Sequence, residues 1–128
     1  MLGFPKAAGG TLMSDRVTQE RLAQNEVLYR SVNEGLEPVN QSLEDALKLP
    51  SEWVCECADT GCTTRVRATV AEYESVRAKA RQFLVYPGHV DPSVEHVVRG
   101  NERFTVVEKL DASATVAEST NPRSGFRA

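Results

Sequence analysis

The sequence predicts an α+β domain in which an N-terminal helix is followed by a small sheet carrying two short helices. Three observations carry that prediction. Apolar residues recur at spacings of three and four before Pro50. Short alternating runs bounded by Gly, Pro and Asp follow it. All three cysteines, Cys55, Cys57 and Cys62, fall within eight positions.

Residues 1–13 read as a flexible leader, with Pro5, Gly9 and Gly10 and no periodicity, and Met13 opens a second plausible start. Residues 14–49 form the N-terminal helical segment, with Ser14 or Asp15 as its N-cap. Leu22, Asn25, Tyr29, Val32, Leu36, Val39 and Leu43 trace a heptad-like seam along it. Gly35 and Pro38 are expected to end or kink the helix around Leu36, leaving one helix over about 15–36 and a second over about 38–48. The segment carries 7 acidic and 4 basic residues. Its apolar stripe is expected to pack on the rest of the domain; docking on a partner, or pairing with itself, is the second reading.

Residues 50–110 form the α+β core. Glu52–Cys57 reads as a strand, the Ala58–Gly61 loop leads to Cys62, and Thr64–Ala68 returns as a second strand. Thr69-Val70-Ala71-Glu72 is a capping box that starts a helix at Val70 running to about Ala80. Gln82–Tyr86 makes a third strand, stopped by the Pro87-Gly88 turn. Asp91-Pro92 reads as an N-cap and N1 proline opening a short helix that turns Val94, Val97 and Val98 inward. Phe104–Lys109 is the last strand, with Glu108-Lys109 an exposed pair at a sheet edge. Residues 111–128, rich in Ala, Ser and Thr, read as a flexible tail. The expected core is Trp53, Val54, Val66, Tyr73, Val76, Phe83, Val85, Val94, Val97, Phe104 and Val106, a thin one for a stable fold.

Composition bounds the function. The 128 residues, 41% hydrophobic and 26% charged, suit one soluble globular domain. No run approaches the roughly 18 apolar residues of a membrane span, and Met1–Leu12 lacks the aliphatic run of a secretory signal. A cytoplasmic protein without membrane contact is expected. A net charge of −3 argues against bulk electrostatic binding to nucleic acid or anionic lipid.

An odd number of cysteines makes a poor disulfide framework, and a Cys55–Cys57 bridge would be badly strained. Clustered thiols point instead to metal or redox chemistry; the alternative is three ordinary buried thiols. Cys55-x-Cys57 places two thiols on one face of a strand end, and Asp59 and Gly61 suit the turn that returns Cys62. Structural zinc takes four such ligands in a tetrahedron. Of the two histidines, His89 follows Pro87-Gly88 at a strand end, where a side chain can be aimed, whereas His96 sits in the expected short helix. The expected zinc ligands are therefore Cys55, Cys57, Cys62 and His89, and the sheet is expected to be zinc-stabilised. Trp53, beside the first ligand, reads as a cover over that site.

The Cys-x-Cys-x4-Cys spacing resembles the post-SET zinc element of histone lysine methyltransferases, over eight residues only. The Asn-His catalytic motif of that family is absent, so the resemblance implies a metal element and nothing enzymatic. A wider pattern is similar to a family of short uncharacterised actinobacterial zinc-binding proteins over about residues 20–110. It comprises Asn25-Glu26, Val32-Asn33-Glu34, Val54-Cys55-Glu56-Cys57 with Cys62, Glu72-Tyr73-Glu74, Val76-Arg77, Pro87-Gly88-His89 and Val106-Val107-Glu108-Lys109. Pro38 departs from that pattern. The resemblance implies a metal-dependent regulatory or interaction protein.

The expected function is thus a non-enzymatic, zinc-stabilised regulatory or adaptor module that meets a protein partner. One alternative is a nucleic-acid- or ribosome-associated protein using Arg65, Arg67, Arg77, Lys79 and Arg81, although Glu72 and Glu74 intervene and aromatic residues are few. Another is a zinc-thiolate redox switch. Catalysis would need an open metal position with Glu56 or Glu72 as base, or a Cys55–His89 nucleophile pair. No phosphate loop, Gly-x-Ser-x-Gly or His-Glu-x-x-His motif accompanies them.

Overall fold

In the computed structural model the described residues are 12–59 and 61–123, with side chains described from Gln24 onward, so most of the expected leader lies outside them. The fold is α+β. Helix α1 spans Leu12–Leu47, strand β1 Ser51–Val54, strand β2 Arg65–Ala68 and helix α2 Val70–Arg77. Strand β3 spans Gln82–Val85, β4 Glu95–Gly100, β5 Thr105–Lys109, and helix α3 Asp111–Ser119.

β1 and β2 pair antiparallel with Trp53 opposite Val66, so both side chains enter the core. A second antiparallel sheet has the order β3-β5-β4. Between β4 and β5 the chain turns so tightly that a Cβ on Gly100 would lie 2.8 Å from the Phe104 carbonyl oxygen, and only glycine fits there. α2 starts as its capping box predicts: Thr69 Oγ1 accepts from the Glu72 N–H, and the Glu72 carboxylate accepts from the Thr69 N–H. Trp53 stacks on Tyr73 at 4.1 Å between ring centroids and donates from its indole N–H to the Ala68 carbonyl, so its ring belongs to the core. Phe83, Leu84, Val85, Val106 and Val107 complete the packing between the two sheets and α2.

The structure departs from the sequence reading in four places. First, α1 runs unbroken through Gly35 and Pro38. Pro38 removes one helical hydrogen bond, yet the turns on both sides are fastened to β1. Asn33 donates to the Val54 carbonyl at 2.8 Å, and Asn40 donates to the Glu52 carbonyl at 3.0 Å. Second, α1 turns its polar side inward. Glu26, Arg30, Asn33 and Asn40 are buried, while Leu28, Val32, Val39, Leu43 and Leu47 of the apolar side stay exposed.

Third, the expected helix after Asp91-Pro92 is only a turn leading into β4. Val94 is buried, but Val97 and Val98 lie on the exposed strand. Asp91 caps the Ser93 N–H at 3.0 Å, as a helix start would, and pairing with β5 then takes the chain over. β5 is accordingly the central strand of its sheet, and Lys109 is fully buried rather than exposed at an edge. Fourth, the expected tail contains α3, whose Ser113, Ala114 and Ala117 are buried. These small side chains let the helix sit closely, and Arg30 of α1 donates to its Ala117 carbonyl at 3.1 Å.

Candidate metal centre

Strand β1 ends at Val54, and the chain continues extended through Cys55, whose N–H still bonds the Thr64 carbonyl across the hairpin at 3.2 Å. Alternation then turns Glu56 away from the two cysteines on either side of it. Its carboxylate is fully committed inside the core: it accepts from Asn33 at 2.8 Å, from the Tyr73 hydroxyl at 3.0 Å and from the Leu84 N–H at 2.8 Å. Burial raises the Glu56 carboxyl above its ordinary range, and those three donors work against the rise.

The return of Cys62 is an Asx turn. The Asp59 carboxylate accepts from the Gly61 N–H at 2.9 Å, and the Asp59 carbonyl accepts from the Cys62 N–H at 3.0 Å. His89 is delivered by a second turn. Pro87 and Gly88 occupy its corners, Gly88 has φ 90°, and the His89 N–H closes it on the Tyr86 carbonyl at 2.9 Å. Proline followed by a residue of positive φ marks a type II turn, which explains why glycine stands there.

These turns bring one ligand atom each of Cys55, Cys57, Cys62 and His89 within 4.8 Å of one another. His89 Nδ1 lies 3.5 Å from Cys55 Sγ and 3.6 Å from Cys62 Sγ. A tetrahedral zinc site, with Zn–S of about 2.3 Å and Zn–N of about 2.0–2.1 Å, has S···N edges of about 3.6 Å. The cluster could therefore hold a metal ion. Cys55 and Cys57 are buried, whereas Cys62 and His89 are partly exposed. The backbone N–H of Tyr86 points at Cys55 Sγ at 3.2 Å, an arrangement that favours a thiolate.

Burial pushes the Cys55 and Cys57 thiols above their ordinary range. Burial also works to raise Cys62, but hydrogen bonds from Thr64 and the neighbouring sulfurs hold it below its ordinary value. A dicationic metal would overcome such desolvation by binding the deprotonated sulfurs directly.

Helix α1 braces the centre from outside. Asn25 donates to the Ala58 carbonyl at 3.3 Å and the Tyr29 hydroxyl to the Asp59 carbonyl at 3.1 Å. Sequence reading missed this role for Asn25 and Tyr29 and placed both on an apolar seam. An Asn on such a seam is the one signal that could have revealed it. His96 lies exposed on β4 and takes no part in the cluster.

The five basic residues do not converge on one face. Arg77 is buried against Glu34 at 2.5 Å and Asn121 at 2.5 Å. Arg81 pairs with Glu118 at 2.7 Å, Lys79 is exposed on its own, and Arg65 and Arg67 share Glu52 at 3.8 Å each. Of the two proposed bases, Glu56 faces away from the cluster, and Glu72 is held by Arg103 at 2.7 Å and by its own helix cap. No helix among the described residues is long and apolar enough to cross a membrane. In comparisons with protein-family models, curated proteins and solved structures, nothing matches this chain.

Proposed function

We propose that Cys55, Cys57, Cys62 and His89 bind one structural zinc ion, and that the protein is a non-enzymatic regulatory or adaptor module of the cytoplasm. The observation that carries this reading is the convergence of three sulfurs and one imidazole nitrogen within 4.8 Å, with His89 Nδ1 at 3.5 Å and 3.6 Å from two of the sulfurs. Three thiolates and an imidazole suit zinc by softness and geometry. Four protein ligands would also leave no open position for a reactive water, which favours a structural over a catalytic role. Zinc would lock the 55–62 loop to the turn at His89, reinforcing the join between the two sheets that the Glu56 N–H makes to the Leu84 carbonyl at 2.8 Å. The exposed outer face of α1 is the element we assign to protein contact.

The test is metal content of the purified chain by plasma mass spectrometry. One zinc per chain is expected, absent from Cys57→Ser and weakened in His89→Ala. Zinc retained in full by His89→Ala would overturn the ligand set. A chain purified under reducing conditions without chelator that carries no metal would overturn the zinc reading altogether.

A further inference from the structure

The outer face of α1 has a composition that specifies more than general stickiness. Leu28, Val32, Val39, Leu43 and Leu47 are each 44% to 61% exposed. Beside them stand Ser31, Gly35, Ser42 and Ala46, small enough to let another backbone approach closely, with the half-buried Tyr29 and Leu36 along one edge. At 100° per residue, the charged residues from Glu26 to Asp45 all fall outside an arc of about 160° that contains this face. The five large side chains expose apolar area on the order of 500 Å², where patches on monomers mark interaction sites. With the small residues included, the face approaches the roughly 800 Å² per partner of a standard interface.

We propose that this face pairs with the same face of a second copy of the chain, the two α1 helices running antiparallel about a two-fold axis near Val39. The proposal rests on the assignment of α1 as the contact element and names its occupant. Three features favour self-pairing in that orientation. The stripe is nearly palindromic: Leu36 and Leu43 lie three and four positions from Val39, and Val32 and Leu47 lie seven and eight. An antiparallel pair therefore sets Leu36 near Leu43 and Val32 near Leu47 of the other copy, apolar against apolar along the whole contact.

Shape points the same way. Between the C-terminal half of α1 and the β1–β2 hairpin runs a groove of about 460 Å³, lined by Leu36, Val39, Leu43, Leu47 and Leu49 together with Glu44, Glu52, Arg65 and Arg67. The other half of the stripe, Leu28 and Val32, forms a ridge. Antiparallel pairing seats each ridge in the opposite groove, whereas parallel pairing would set groove against groove and leave a void. Finally, the helix stripe itself carries no charge, and the groove carries both signs, with Arg65 and Arg67 already paired to Glu52, so self-association sets no block of like charges face to face.

The test uses the full zinc-loaded chain in sedimentation equilibrium over about 5–200 µM, a range that spans the weaker half of typical homodimer affinities. A dimer is expected, with Val39→Glu and Leu43→Glu each weakening it at least tenfold, on the order of a lost central contact. Gly35→Arg should do the same while leaving the fold untouched, because a Cβ at Gly35 meets nothing within 4 Å. Zinc content and far-UV circular dichroism unchanged in all three would show that the fold survives.

Orientation is read by oxidative cross-linking, with the native chain as control. Val39→Cys should cross-link to itself. Leu28→Cys should not, since antiparallel pairing separates the two copies of that position by about 33 Å. Self-linking of Leu28→Cys, or a dimer indifferent to Gly35→Arg, would overturn the arrangement. A chain monomeric throughout the range would overturn self-pairing. If that monomer carried one zinc per chain, the metal reading would stand, and the face would belong to a different protein or to residues 124–128.

Discussion

The Cys/His end of the molecule and the inner face of α1 offer opposite means of holding the same small domain together. At the Cys/His end, two turns and a strand end converge on four ligand atoms, and an ion could add to the few hydrogen bonds, such as Glu56 N–H to the Leu84 carbonyl, that already join these segments. Along α1, contact is made by buried polar groups that find partners within the chain. Lys109 Nζ bridges the carboxyls of Glu26 and Glu95, with all three side chains fully buried. Arg30 donates to the Ala80 carbonyl at 2.9 Å and lies over the Phe83 ring at 4.7 Å. With an ion bound, the first region would depend on its supply, on pH and on redox state. The second is intrinsic. It also fixes register, since buried polar partners tolerate no sliding of the helix.

The comparison breaks most clearly if the metal is removed. Cys57→Ser, or a strong chelator at neutral pH, should destabilise the fold by more than about 3 kcal/mol in urea unfolding, because binding to a structural zinc site is folding free energy. A change below about 1 kcal/mol would mean that the loops close without metal. Lys109→Met attacks the other region and should cost about 3–5 kcal/mol, since it leaves the Glu95 and Glu26 carboxyls buried without their cation. Unchanged stability would show that the triad contributes nothing to holding α1.

Asn33→Ala comes next, at about 2–3 kcal/mol. It removes donors to the Val54 carbonyl and the Glu56 carboxylate, and the acceptor of the Val54 N–H, itself a 2.8 Å bond. A loss well under about 1 kcal/mol would mean that water replaces the amide.

The two regions should also respond to pH in opposite directions. Protons compete with metal for thiolates and imidazole, so the metal end weakens as pH falls. Glu26 behaves in reverse. Burial, with help from Glu95 and against the attraction of Lys109, pushes its carboxyl from 4.5 up to about 10. A raised folded value means that the folded state holds the proton. Its stabilising share is complete below about pH 4.5 and is lost as pH rises toward about pH 10. Glu26→Gln removes that titration. The thermal midpoint of the variant should fall less than that of the parent between about pH 7 and about pH 9.5. Parallel curves would overturn the assignment of the proton to Glu26.

The smallest effect expected is at Pro38. Pro38→Ala restores the N–H missing from a helix interior and should stabilise the fold by about 1 kcal/mol, part of the gain being offset by a freer unfolded chain. A loss of stability would mean that the proline itself is needed to bring Asn33 and Asn40 onto β1 together.

What could be read from the sequence was local. The Thr69–Glu72 capping box, the turns set by Asp59 with Gly61 and by Pro87-Gly88, and the alternation around Trp53 each act within a few residues, and the convergence of the three cysteines with His89 followed from them. The inner face of α1 was not legible, because periodicity marks which residues share a face and not which face has a partner. Here the partners are Lys109, Glu56 and the Val54, Glu52 and Ala80 backbones, all far along the chain.

The same reason separates the remaining elements. The sequence by itself determined where the loops turn, where α2 begins and which side chains a metal could find, because backbone sterics and short-range hydrogen bonds decide those things. That Glu95–Gly100 is a strand, that Asp111–Ser119 is a helix, and that α1 runs unbroken through Pro38 with its polar side inward emerged only in the folded chain. Each of those outcomes rests on contacts whose partners lie elsewhere in the chain. Pairing with β5 and packing against α1 outweigh local preferences worth only a fraction of a kcal/mol per residue.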